Sequence, residues 1–553
     1  PNYASLQLSR SARSGHCLHC REPFPWHFTL SAARMPGRHV LMSRPSMPLL
    51  DLGQTSLKGL ARLGLSNFEL LQCMMAVVFL LHAADGAMLP AVFKAMEEEV
   101  HGATPVSLGV IVLAEALCHS LAVFAWGVLA DRRCKLYLLQ YATLAWGILT
   151  LATAFVHGIG SLATIRALAG IVGAALGPLS QGLIGAVCPA NKRGRAFGFL
   201  IACGQAGHIF GLLLAGSTSH LRIIGGWRGS FILFSLLTIV LAWVLAQVRT
   251  EVSEGLFAES RTWQRLAAER TADKGSYSEV AWEVAQNFSV IVQRRSFLVL
   301  ILQGAFASTT VKAMQYQVMW YQYLGFSDFV ASAVTSAAPL GCIGGAIASG
   351  YISDSLARRF PDHGRIALGQ VADTAKLLIL VLIFLSCRSS LGNDTGTVAM
   401  MTGLTLSFGF VSIMAYSAVV KPLFAEIVPP NMIAQVIGIA AAIDGAFSSF
   451  ASAPVVGYIT QYVFNYHETT LPIADMPEHL RVKNARALGR SIAVVTVIST
   501  VLTVLFFSFL HFTYPRDREA SRDAAEVSTG ATFHEATVQA CDGASTSSEF
   551  SSD

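Results

Sequence analysis

The chain has 553 residues, of which 53% are hydrophobic and 13% charged, with a mean hydropathy of +0.53. A soluble domain carries about a quarter charged residues, so this composition excludes an ordinary soluble fold and points into a lipid bilayer. The formal net charge of +5 is too small to argue for nucleic acid, and the ten cysteines, mostly within apolar runs (Cys73, Cys118, Cys203, Cys342, Cys387), suit packing residues rather than a disulfide framework.

Residues 1–65 read as a cytoplasmic, disordered tail, rich in arginine and almost free of acid before Asp51, with a transit peptide as the alternative. The run His16-Cys17-Leu18-His19-Cys20 holds one CxxC, but no second pair follows at zinc spacing, so no metal or other cofactor is expected. A membrane-spanning helix needs about 20 mainly apolar residues. Six stretches qualify in a first unit, 66–248: 68–93, 107–130, 136–156, 160–187, 196–216 and 229–248. A polar linker, 249–295, contains an apolar stripe of Val280, Val284, Phe288 and Ile291, which predicts an amphipathic helix on the inner membrane surface. Six more stretches fill a second unit, 296–512: 296–322, 329–350, 366–387, 397–420, 435–460 and 490–512. The remaining residues, 513–553, read as a disordered cytoplasmic tail.

Basic residues cluster in the even-to-odd connections (Arg132, Arg133 and Lys135; Lys192, Arg193 and Arg195; Arg358, Arg359 and Arg365), whereas Glu97, Glu98 and Glu99 follow the first span. The positive-inside rule therefore predicts cytoplasmic termini, although Arg481, Lys483 and Arg486 between the last two spans go against it. The same topology puts the sequon Asn393-Asp394-Thr395 outside, where Asn393 is a glycosylation acceptor, in either the plasma membrane or an endomembrane organelle.

Two short frames repeat. Gly127-Val-Leu-Ala-Asp131-Arg132 follows the second span, and Gly350-Tyr-Ile-Ser-Asp354 closes the eighth. Pro189, Asn191 and Gly198 after the fourth span are echoed by Pro429, Asn431 and Gly438 after the tenth. Each half is thus one six-helix unit, and the two are parallel because an even number of spans restores the orientation. The predicted fold is an all-α integral membrane protein of twelve helices in two pseudo-symmetric bundles. With Arg166-Ala-Leu-Ala-Gly170 in the fourth span and Gly226-Trp227-Arg228 before the sixth, the chain resembles the major facilitator superfamily of transporters over roughly 65–513, and within it the spinster-like lysolipid and sphingolipid carriers. Cys134 stands where that signature has a second glycine. The resemblance implies alternating access around a midplane cavity.

Ionisable residues inside spans each cost about 2.5 kcal/mol or more, so they mark candidate pathways. Asp85 and Arg166 lie at matching depths in the first and fourth spans, which suggests a proton-coupling pair; a purely structural ion pair is the alternative. Lys312 in the seventh span, with Gln315, Tyr316, Met319 and Trp320 at three-and-four spacing, predicts a cationic and aromatic cavity wall. Gln205 and His208 in the fifth span and Asp444 in the eleventh are further cavity candidates, while Asp373 and Lys376 are spaced to neutralise each other. Gly127, Asp131, Arg132, Gly350 and Asp354 are candidates for gating, the aspartates capping helices and pairing with arginines to latch the bundles.

No P-loop appears, so ATP does not drive the cycle directly, and no convergent nucleophile or metal set suggests an enzyme. The expected partners are the bilayer, protons and a small-molecule or lipid-like solute, anionic or zwitterionic because Asp85, Arg166 and Lys312 together leave a cationic excess. A receptor or scaffold that keeps the fold without the cycle is the rival reading.

Overall fold

The computed structural model describes residues 67–188, 192–219, 221, 225–253, 291–386, 394–428 and 433–545. Among these, twelve helices are long and apolar enough to cross a membrane. They are α1 (Glu69–Ala91), α2 (Pro105–Ala130), α3 (Lys135–Ala154), α4 (Ile159–Gly185), α5 (Arg195–Thr218), α6 (Trp227–Val248), α7 (Arg295–Leu324), α8 (Asp328–Arg359), α9 (Gly364–Ser386), α10 (Thr395–Ile427), α11 (Val436–Val463) and α12 (Glu478–Ser521). All twelve sit on the stretches expected from composition, as an integral membrane protein of two six-helix bundles. The predicted linker helix and its stripe, apart from Ile291, lie outside the described residues, as does Asn393.

Local chemistry sets the helix starts. Thr104 and Ser107 form a reciprocal capping box before α2, with Pro105 at its first position. Ser327 caps α8 and Asp394 caps α10. Gly325, at φ 107°, ends α7 in the left-handed region that a side chain disfavours.

Two helix ends and one helix interior depart from expectation. Span eight continues to Arg359, so Gly350 and Asp354 belong to its last turns. The final helix runs from Glu478 to Ser545, through most of the tail expected to be disordered; the Ala, Glu and Arg content of that stretch favours helix, and Pro515, Gly530 and Gly543 oppose it. Span seven is broken. Its regular part stops at Ala313, a 3-10 turn covers Met314–Tyr316, and an α-helix resumes at Gln317. Three residues at 3-10 pitch add about 60° of rotation, so faces read by three-and-four spacing do not carry across the turn.

We call the side holding the α2–α3 and α8–α9 connections the motif face. At the opposite face the bundles meet. The short helix Phe93–Glu99 after α1 brings Lys94 and Glu97, both buried, against α7 and the α11–α12 connection. There Glu97 accepts from Tyr323 at 2.7 Å and from Tyr466 at 2.6 Å, and Lys94 donates to Glu97 at 3.1 Å and to the Leu471 carbonyl at 3.3 Å. Ser219 at the end of α5 donates to Asp328 at the start of α8 at 3.0 Å. These bonds tie the first bundle to the second.

Candidate functional site

The charges inside the first bundle meet at the junction of α1, α2 and α4. Arg166 on α4 donates through one terminal nitrogen to both oxygens of Asp85 on α1, at 3.2 and 3.3 Å. Its Nε donates to Glu115 on α2 at 3.2 Å. From α3, Trp146 Nε1 donates to Asp85 Oδ2 at 3.1 Å. The guanidinium also lies 5.6 Å from the centre of the Phe231 ring on α6. Arg166 is fully buried, Asp85 keeps 5% of its side-chain exposure, and Glu115 keeps 22%.

The helix crossing that makes this possible is written in the Arg166–Gly170 run. A β-carbon at Gly170 would stand 2.3 Å from the Glu115 carbonyl oxygen, so only glycine lets α4 press against α2 here. Arg166, one turn away on α4, is then within reach of the Glu115 side chain. Beside the junction, His82 stacks on His119 with ring centroids 5.8 Å apart and meets the edge of Trp146.

A cavity of about 500 Å³ lies between the bundles. Gly86, Ala87 and Pro90 of α1 and Gln205 and His208 of α5 line one side. Gln303, Lys312, Gln315 and Gln317 of α7 line the other, with residues of α8 and α10 and with Asp373 and Lys376 of α9. Lys312 Nζ donates to the Gly445 carbonyl and to Ser449, each at 3.0 Å. Asp444 sits against Gly304, where any β-carbon would be 2.3 Å from its carboxylate, and its Oδ1 is buried with no hydrogen-bond partner. Asp373 and Lys376 pair at 2.6 Å, as their spacing suggests.

The sequence-derived cavity set therefore divides. Gln205, His208, Lys312 and Gln315 line the cavity; Asp444 lies behind Gly304 rather than on the wall. Tyr316 and Trp320 do not line it, because the 3-10 turn rotates them into the packing. Tyr316 donates to the Pro105 carbonyl at 2.5 Å, and Trp320 packs on Phe384 and beside Gly489. Asp85 and Arg166 meet each other but stand in the first bundle, behind the cavity wall that Gly86 and Ala87 form. Glu115, His82 and Trp146 belong to the same junction and were not singled out from the sequence. The signal for Glu115 was present, since it is a charge inside a span like Asp85.

Of the motif-face candidates, Asp354 has its described ion pair within its own bundle. Asp354 pairs with Arg365 at the start of α9, at 3.5 Å, and Arg365 also reaches Glu426 of α10 at 3.5 Å. Arg518 on α12 joins Asp362 at 2.7 Å and Glu426 at 3.7 Å. This network stays within the second bundle. It does not use Arg358 or Arg359, because the straight continuation of α8 brings Asp354 alongside the N-terminal turn of α9. Asp131 and Arg132 lie in the last turn of the helix that forms α2, and their side chains are outside the described set. A β-carbon at Gly127 or Gly350 would meet nothing within 4 Å.

Comparison with known proteins fits this architecture. A D-galactonate transporter from Escherichia coli O6:H1 is 23% identical over 384 residues, covering 67% of this chain and 84% of that protein. A bacterial homologue of the human lysosomal transporter Spinster, in an inward-facing and occupied conformation, superposes with a TM-score of 0.63 at 16% identity over 81% of this chain and 98% of that one. A D-xylose–proton symporter superposes with a TM-score of 0.55 at 16% identity, over 79% and 97% of the two chains. The model of the Major Facilitator Superfamily matches residues 75–453, more than half of the sequence, and the chain belongs to that superfamily, a family of transporters rather than enzymes.

Proposed function

We propose that this protein is a proton-coupled secondary active transporter for a small organic or amphiphilic solute carrying a negative charge, working by alternating access. One observation carries the reading: a dehydrated site with two carboxylates and one guanidinium stands in one bundle, next to a cavity whose facing wall presents Lys312. An acid–guanidinium site at membrane depth is costly to keep, and a proton that changes its net charge gives it a use. Lys312, bound only by a carbonyl and a hydroxyl, retains donor capacity for a carboxylate or phosphate of the solute. The apolar lining from α8 and α10 suits the rest of an amphiphile. The likeness to a carrier of D-galactonate, a sugar acid, supports an anionic solute, and the likeness to a proton symporter supports the coupling.

In this reading the motif face is cytoplasmic and Asn393 is external. Asp85, Arg166 and Glu115 form the coupling site, with Lys312, Gln315, Gln205 and His208 in the solute cavity and Asp444 behind it. Gly127, Asp131, Arg132, Gly350 and Asp354 act on the exchange between the two open states. The test is uptake by proteoliposomes of a panel of labelled organic anions and lysolipids, with and without an imposed pH gradient. Accumulation above equilibrium that collapses with a protonophore is the expected result. Flux indifferent to the gradient removes the coupling, and a panel that never crosses favours a receptor or scaffold.

A further inference from the structure

We infer that Glu115 is the residue that takes up and releases the coupling proton, while Asp85 remains the fixed counter-charge of Arg166. This rests on the proton-coupled reading above and narrows it to one carboxyl group.

With Asp85, Glu115 and Arg166 all ionised the junction carries one net negative charge, and binding one proton makes it neutral. A site with so little water favours the neutral form. The groups facing Glu115 from neighbouring helices do not alter that count at close range. On α1 they are Asp85 and His82, on α4 Arg166, and on α2 itself His119, one turn on. Lys312 on α7 acts on His119 across the bundle interface, and Asp444 on α11 stands beside Lys312. Trp146 from α3 and Phe231 from α6 contribute neutral rings.

The two carboxyls differ in their room for a proton. Both Asp85 oxygens already accept from donors that have nothing to accept with, namely the guanidinium and the indole N–H. An O–H there would face donors on every side. Glu115 accepts one bond from Arg166 and retains about four times the exposure of Asp85, 22% against 5%. It can release that bond and take a proton while Asp85 continues to hold the arginine.

The repeat separates function from packing. In the second bundle a β-carbon at Gly409 would stand 1.9 Å from the Ala338 carbonyl oxygen, the same crossing as Gly170 on Glu115. Glu115 and Ala338 stand at the same distance before Gly127 and Gly350 of the repeated frame. Gly170 and Gly409 fall one residue short of matching relative to Pro189 and Pro429, and the π-helical turn Tyr416–Val420 between them carries the extra residue. One turn before Gly409, where Arg166 stands before Gly170, is Thr405. The fold therefore builds this crossing with an alanine and a threonine. The glutamate and arginine are not needed for it.

The test is pH-induced infrared difference spectroscopy on the purified full-length protein in lipid nanodiscs, with the proton as the only ligand. A protonated carboxyl has a C=O stretch that a carboxylate lacks. Glu115→Gln is expected to remove one pH-dependent band, Asp85→Asn to keep it but only at more acidic pH, because Glu115 and Arg166 then form a neutral pair, and Glu115→Asp to restore it at a displaced frequency. Asp373, Asp444 and Glu97 are common to all samples and cancel in wild-type-minus-variant differences. A band lost in Asp85→Asn and kept in Glu115→Gln overturns the assignment and leaves the coupling reading standing. A wild type with no band that either variant removes overturns both. Thermal unfolding of each variant identifies any that is misfolded; if Glu115→Gln is, the Asp85→Asn and Glu115→Asp spectra decide.

Discussion

The two bundles make the same helix crossings and use them for different chemistry. In the first, Gly207 and Gly211 bring α5 within backbone contact of α1 at Leu80 and Ala84, and the charges are held behind that contact, bonded to one another. In the second, the glycine at the corresponding pairing is Gly304 on α7, and what fills its hollow is the carboxylate of Asp444. Its lysine opens to the cavity, while its counterparts of Glu115 and Arg166 are Ala338 and Thr405. One bundle thus keeps a closed, preorganised acid–base site, and the other keeps a partly satisfied cation facing the cavity. Under the proposed function, a duplicated scaffold offers separate copies of one geometry to proton and solute.

The largest expected effect breaks the comparison at its centre. Arg166→Gln leaves Asp85 and Glu115 facing each other with no cation, and removing one member of a buried ion pair costs about 3–5 kcal/mol. Thr405→Ala, at the matching position, loses its contact with the Tyr321 hydroxyl and one buried methyl group, about 1–2 kcal/mol. Unfolding of both variants in one detergent checks this; equal losses would mean the first-bundle charges carry no special weight. Next in size are the crossings themselves. Gly170→Ala and Gly409→Ala each force two backbones apart and should cost a similar amount, about 1–3 kcal/mol, whereas Gly127→Ala and Gly350→Ala meet open space and should be near neutral. A much smaller loss in one crossing variant than in the other would break the structural equivalence of the two bundles.

The smallest effect sharpens the contrast between the junction and the opposite face. Burial, the larger influence, holds the Glu97 carboxyl above its ordinary value of 4.5, while Lys94 and the hydroxyls of Tyr466 and Tyr323 pull it down. A form in which Glu97 faces water binds its proton less tightly. Acidification therefore favours closure of this face, and opening grows as pH rises from about 4.5 through the raised value. Spin-label distances across that face, on a Glu115→Gln background, should show roughly a few-fold change in the open population, abolished by Glu97→Gln. Opening on acidification would contradict the sign.

Much of the fold was legible because hydropathy and length decide a span without tertiary information, and the repeated glycine–aspartate frames gave the two-unit plan. The Asp85–Arg166 pair was legible for a similar reason: depth along a helix is a count of residues. What failed was rotation. The aromatic wall of Tyr316 and Trp320 assumed unbroken α geometry through Met314–Tyr316, and a 3-10 turn has no strong sequence signature there. Asp354 does pair with an arginine, but that the pair lies within one bundle depends on α9 packing beside the end of α8, and helix packing is not a local property. Glu115 is the instructive omission: its span position was visible, but its meaning depends on Gly170 bringing α4 onto α2.

In the proposed division, the first bundle holds the proton site and the second supplies the cation that binds the solute. The direct measurement is the pair of activities in proteoliposomes, solute exchange at equal pH and accumulation driven by a pH gradient, for Glu115→Gln and Lys312→Ala beside wild type. Glu115→Gln should keep exchange and lose gradient-driven accumulation. Lys312→Ala should weaken solute binding and so lower both, by roughly tenfold or more for a charge-assisted bond. If Lys312→Ala instead uncouples while binding solute normally, or Glu115→Gln accumulates solute with wild-type pH dependence, the division of labour between the bundles is wrong.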